Sequence, residues 1–154
     1  MLPEDKMKKA IVWIFCILMG MIFFIYCGNK ENISHEEKER VMKAAAVSAE
    51  KWLNLVDKAD YRTSWNQAAS YFKNAVAMEK WEQAMNAVRK PLGRLLNRAV
   101  TSKKYYTTLP GAPDGEYVVF QFRTSFENKK SCIETVTPML DKDNEWRVSG
   151  YYIK

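Results

Sequence analysis

The spacing of the apolar residues changes at Pro91-Leu92-Gly93, and that change dictates the fold class. Before it, apolar side chains recur every three or four residues, which is one face of an α-helix. After it they alternate, which is one face of a β-strand. Pro91 cannot continue a helix, and Gly93 permits the turn that ends one. Helices first and closely connected strands afterwards give an antiparallel meander with helices on one face, an α+β architecture.

Ser34-His35-Glu36-Glu37 reads as a capping box that opens the first helix. Val41, Ala45, Ser48, Trp52, Leu55, Val56 and Ala59 follow at helical spacing, so this helix is expected to run to about Lys58. A second helix is expected over Tyr61 to Phe72, with Trp65, Ala68, Ala69 and Phe72 on one side. A third is expected over Glu79 to Arg89, with Trp81, Met85 and Val88 aligned. The strands are expected over Arg94 to Thr107, Tyr117 to Phe126, Cys132 to Leu140 and Trp146 to Ile153. In the second of these, Val118, Phe120, Phe122, Thr124 and Phe126 point one way and Tyr117, Gln121, Arg123 and Ser125 the other. Asn128-Lys129-Lys130 is the expected hairpin turn, and Pro138 marks an edge or a bulge. Three helices thus pack on a four-stranded antiparallel sheet within residues 34–154.

Residues 1–9 form a basic flank, and Ala10 to Cys27 contains no charge. As a helix this run is about 27 Å long, close to the roughly 30 Å of a bilayer's hydrocarbon core. Lys6, Lys8 and Lys9 place the N-terminus in the cytoplasm and the following domain outside it. A cleaved secretory signal needs small residues before the cut, and Phe24-Ile25-Tyr26 has none. A bacterial lipoprotein signal ends in a Cys that is lipidated. Cys27 is the lipidation candidate, although Tyr26 stands where that signal has a small residue. The length favours an uncleaved single-pass anchor, with the lipid anchor as the alternative. Either ties the chain to the cell membrane through residues 10–27, and residues 28–33 form a short linker.

The residues after Cys27 keep a net charge of +5 (21 Lys and Arg against 16 Asp and Glu). Acids are interspersed and no run of five basic residues occurs, which reads as a solvated surface. With the domain outside the cytoplasm, nucleic acid is not an expected partner. An unknown protein or small-molecule ligand is.

His35, the only histidine, precedes the core pattern, so histidine-based triads and histidine metal sites are not expected. The three cysteines contain no C-x-x-C pair. Asp141, Asp143 and Glu145 imitate the start of a calcium loop, but Trp146 stands where its Gly belongs, so a solvated turn is expected. No phosphate-binding Gly-rich loop occurs, and no metal and no cofactor are expected. Glu134, mid-strand between Cys132 and Val136, is the candidate pocket carboxylate. The alternative is that it faces water or pairs with Arg123 or Arg147. Trp52, Trp65, Tyr71, Trp146 and Tyr151 are the candidate ligand-binding set, against the ordinary reading of Trp at helical spacing as core. The expected function is a membrane-tethered extracytoplasmic binding or interaction module. The alternative is a small enzyme that uses a pocket carboxylate.

Several blocks resemble one family: Lys51-Trp52-Leu53, Val88-Arg89-Lys90-Pro91-Leu92-Gly93, the run from Leu109 to Val119, Glu134-Thr135-Val136-Thr137-Pro138-Met139, and Trp146 to Tyr152. Together they resemble the bacterial domain of unknown function 4019 family over about residues 44–153. The resemblance implies an NTF2-like (cystatin-like) cone, a curved sheet wrapped against helices, in a secreted or envelope-attached bacterial protein. It implies no reaction.

Overall fold

The computed structural model describes residues 33–154. The expected anchor over residues 10–27, Cys27 and most of the 28–33 linker lie outside the described residues. Among the described residues no helix is long and apolar enough to cross a membrane.

Four helices come first: α1 (His35–Asp57), α2 (Tyr61–Asn66), α3 (Ser70–Ala75) and α4 (Met78–Val88), followed by a 3-10 turn at Lys90–Leu92. Four strands follow: β1 (Leu95–Tyr106), β2 (Tyr117–Phe126), β3 (Lys129–Leu140) and β4 (Trp146–Ile153). They form one open sheet in the order β1-β2-β3-β4, antiparallel throughout. The α+β meander is as the change of period predicts.

The strands match expectation closely because alternation is enforced along each strand itself. Val118, Phe120, Phe122, Thr124 and Phe126 are all buried. Tyr117 departs from its expected outward position and is buried with Ala69 and Met139 in a second, smaller cluster. The β2–β3 turn is one step earlier than expected, and β3 already begins at Lys129. Pro138 sits in an interior strand beside a register shift against β4, so it marks a bulge rather than an edge.

The helices depart more. α1 buries Val41, Met42, Ala45, Ala49, Trp52, Leu53 and Val56. Leu55 is only half-buried and Ala59 is exposed, so the buried face is rotated from the expected one. The expected helix over residues 61–72 is two helices. Ala68 and Ala69 are fully buried against the sheet, and the Ala69 N–H donates to the Val148 carbonyl (2.9 Å) instead of continuing a helix. α3 then starts afresh at Ser70, whose N–H donates to Asp141 Oδ2 (2.8 Å) on the β3–β4 turn. In α4 the inward row is Trp81, Met85 and then Arg89, while Val88 is 53 % exposed. A row ending in Arg is invisible to an apolar count.

The core lies between α1 and the inner sheet face. Trp52 is packed among Trp81 (ring centroids 5.6 Å apart) and Tyr151 (5.3 Å). Its Nε1–H donates to the Ser64 carbonyl (2.8 Å), and Trp81 Nε1–H donates to Ser64 Oγ (3.0 Å). One serine thereby satisfies the polar atoms of two buried indoles.

α1 is closed by a left-handed cap: Asp60 N–H donates to the Leu55 carbonyl (2.9 Å) and Ala59 N–H to the Val56 carbonyl (3.0 Å), with Ala59 at φ 58°. Gly is the usual residue there, because a Cβ in this region costs about 1 kcal/mol. Ala59→Gly is expected to raise stability by about 0.5 kcal/mol in urea unfolding, part of the relief being offset by the looser unfolded chain.

Candidate functional site

A groove of about 680 Å³ runs between α1 and the β3–β4 turn. α1 lines it with Ala44, Val47, Ser48 and Lys51 on successive turns, over Trp52. The end of α2 adds Asn66 and Gln67, and the opposite wall is Asn144, Glu145, Trp146 and Arg147. Ser48 Oγ donates to the Trp146 backbone carbonyl (2.7 Å), which ties α1 to β4 where the half-buried Trp146 stands in the wall. Asn144 takes the left-handed conformation (φ 63°) that the turn needs. Arg147 is held by Asp143 (2.6 and 2.8 Å), so its charge is matched, whereas Lys51 has no ion-pair partner among the described residues. Three amides, a carboxylate and a free ammonium around an indole suit a small polar ligand or peptide segment with one flat apolar face.

The turn below this groove is not wholly solvated, contrary to expectation. Asp141 is buried and accepts the N–H groups of Ser70 (2.8 Å) and Lys142 (2.9 Å). Burial works to raise its pKa. The two backbone donors, with Arg147 nearby, outweigh that and hold the carboxyl below the usual range. A lowered folded pKa contributes stability that is fully present above the unfolded value near 3.9 and is lost as pH falls through the folded value. Asp141→Asn is therefore expected to cost about 1 kcal/mol at pH 7, with the gap from wild type closing below about pH 3 in urea titrations.

A second assembly of chemistry-bearing side chains is buried beside the core. Glu134 is fully buried. Its Oε2 accepts from Arg98 Nε (2.7 Å) and Thr124 Oγ1 (2.6 Å), and its Oε1 from Arg98 Nη2 (3.1 Å) and Tyr151 Oη (2.5 Å). Its partner is thus Arg98, neither Arg123 nor Arg147. Arg98 also donates from Nη1 and Nη2 to Asp57 (2.7 and 2.9 Å). Asp57 further accepts from Arg89 Nη2 (3.0 Å), whose Nη1 donates to the Gly93 carbonyl (2.8 Å). The Arg89 guanidinium lies 4.1 Å from the centre of the Phe126 ring, a cation–π contact. Two guanidiniums and two carboxylates therefore balance.

Asp57 ends α1, where the helix dipole disfavours a negative charge, so the two arginines are needed there. Burial works to lower the Arg98 pKa, but hydrogen bonds to Asp57 and Glu134 win and raise it. Burial, and then the Glu134 charge, push the Tyr151 hydroxyl far above its ordinary value, so it remains a donor. All four Glu134 bonds come from fixed donors, and this cluster acts as a clamp between α1 and the sheet.

The five aromatic candidates do not converge. Trp52 and Trp146 meet at the groove. Tyr151 joins the core and the Glu134 cluster. Trp65 Nε1–H donates to the Val76 carbonyl (2.7 Å), holding the segment between α3 and α4. Tyr71 belongs to the second cluster, and its hydroxyl donates to the Gly111 carbonyl (2.6 Å). With Tyr117 Oη donating to the Pro113 carbonyl (2.6 Å), that bond pins the β1–β2 loop. The sequence reading missed Asp57, Arg89 and Arg98. The available signal was Arg98 at an inward position of β1, directly opposite Thr124.

Among the described residues no group of three or more His, Cys, Asp or Glu is placed to hold a metal ion. Cys132 is a buried free thiol whose pKa burial raises, which disfavours the thiolate form.

An α+β domain with helices against one open antiparallel sheet and a groove at the helix–turn junction is the class defined by this geometry. The chain belongs to the family described as "Protein of unknown function (DUF4019)", whose profile it matches over residues 48–151. No curated protein and no solved structure matches it.

Proposed function

We propose that the protein is a membrane-tethered extracytoplasmic binding module. The groove between α1 and the β3–β4 turn is its binding site, and the fold is an NTF2-like cone. The observation that carries the binding reading is the Trp146 groove, with its matched Arg147, unmatched Lys51 and ring of amides. The charge-free run over residues 10–27, with lysines before it, supports the tether and the orientation. Register shifts in all three strand pairs, which bend a sheet, support the cone. Catalysis at Glu134 gains no support from a carboxylate whose lone pairs are taken by Arg98, Thr124 and Tyr151.

Two measurements test this. A reporter fused after Lys154 is expected to be active only outside the cytoplasm, and cytoplasmic activity would remove the proposal. A photo-crosslinking residue at Val47, which is 44 % exposed in the groove, is expected to give a discrete adduct in intact cells that Trp146→Ala abolishes. An adduct indifferent to Trp146→Ala would disconnect the groove from binding.

A further inference from the structure

The face of the sheet turned away from α1 bears a charge pattern of its own. Register places Ala99, Arg123 and Ile133 side by side across β1, β2 and β3. Lys154 completes that row through paired backbone bonds with Ile133 (3.0 and 2.9 Å). The next row is Ser102, Gln121, Thr135 and Tyr152, and Lys104 stands opposite Val119 beyond it. No Asp or Glu side chain occurs in these rows. Arg123, Lys104 and Lys154 are exposed and have no ion-pair partner among the described residues. Tyr152 is 62 % exposed and Ile133 37 %, so no described element covers this face.

We propose that this face docks on an anionic phospholipid surface. The proposal rests on the tether proposed above. A second copy of the chain is a poor occupant, because a two-fold would set three cations against three cations. A bilayer suits the pattern: cations meet lipid phosphates, and an exposed tyrosine places its ring and hydroxyl at the head-group level. Residues 28–33 span at most about 20 Å, so a chain anchored through residues 10–27 keeps its domain at the membrane, where weak contacts are enough to orient it.

The test uses the full-length chain reconstituted into vesicles of phosphatidylcholine alone or mixed with phosphatidylglycerol. Acetylation of each lysine by an amine-reactive reagent is followed by mass spectrometry. Lys104 and Lys154 are expected to react at about one fifth of their rate or slower on the anionic vesicles, while Lys58 and Lys80 on the helical side keep their rates. High salt and Arg123→Glu are each expected to restore most of the lost reactivity. Equal Lys104 and Lys154 rates on both kinds of vesicle would overturn the docking. So would slowing on neutral vesicles that grows with protein density, which marks a second copy, or slowing by dissolved inorganic phosphate. Flotation of the same samples separates the two proposals. A chain that does not float with the vesicles overturns the tether and the docking together, whereas a floating chain with unchanged rates overturns the docking alone.

Discussion

Arg98→Met is expected to lower folding stability by about 3–5 kcal/mol, the cost of leaving buried charges without their partner. Methionine fills a similar volume, so the loss reports charge rather than a cavity. Glu134 would keep only Thr124 and Tyr151 as donors, and Asp57 only Arg89. Arg98→Lys is expected to recover part of the loss, because one ammonium cannot form the fork that reaches both Asp57 and Glu134. Arg123→Met, on the open sheet face, is expected to stay within about 0.5 kcal/mol of wild type and is the control. Urea unfolding at neutral pH distinguishes these variants. An Arg98→Met protein as stable as the Arg123→Met control would show that the cluster does not hold α1 to the sheet.

Trp52→Ala is expected to cost about 3–5 kcal/mol, as truncation of a buried indole does. The side chain is 2 % exposed and contacts both Trp81 and Tyr151, so its loss opens the junction of α1, α4 and β4. Trp52→Phe is expected to lose about 1–2 kcal/mol, since it keeps an aromatic ring but leaves the buried Ser64 carbonyl without the indole donor. Trp146→Ala is expected to be milder than Trp52→Ala, because Trp146 is only half-buried. If Trp146→Ala destabilised as much as Trp52→Ala, Trp146 would be a core residue and the groove reading would fall. The two tryptophans look alike in sequence, and burial separates their roles.

The family and the order of elements were legible early. β2 and β4 occupy the spans that alternation predicts, because alternation is a property of neighbours along one strand. Glu134 stood out for the right reason, an acid on a buried strand face, but its meaning depended on a residue no local pattern links to it. Arg98 is 36 positions away and reaches it only after β1 and β3 are placed on either side of β2. The groove was half-visible: Trp52 and Trp146 were both candidates, while Ser48 registered only as a polar lapse in the apolar row of α1. It is the residue that binds the Trp146 carbonyl from 98 positions away.

The sequence by itself determined what depends on spacing along the chain: helices before Gly93, strands after it, a charge-free segment over residues 10–27, and membership of a family. The tertiary structure decided what depends on partners far apart in the chain. It split one expected helix at Ala68-Ala69 by offering the Val148 carbonyl, and restarted it with Asp141 from 71 residues away. It also placed Glu134 in a charge-balanced cluster with Arg98, Asp57 and Arg89. Most buried polar groups are paired, with partners wherever the fold brings them, and only the folded chain says where that is.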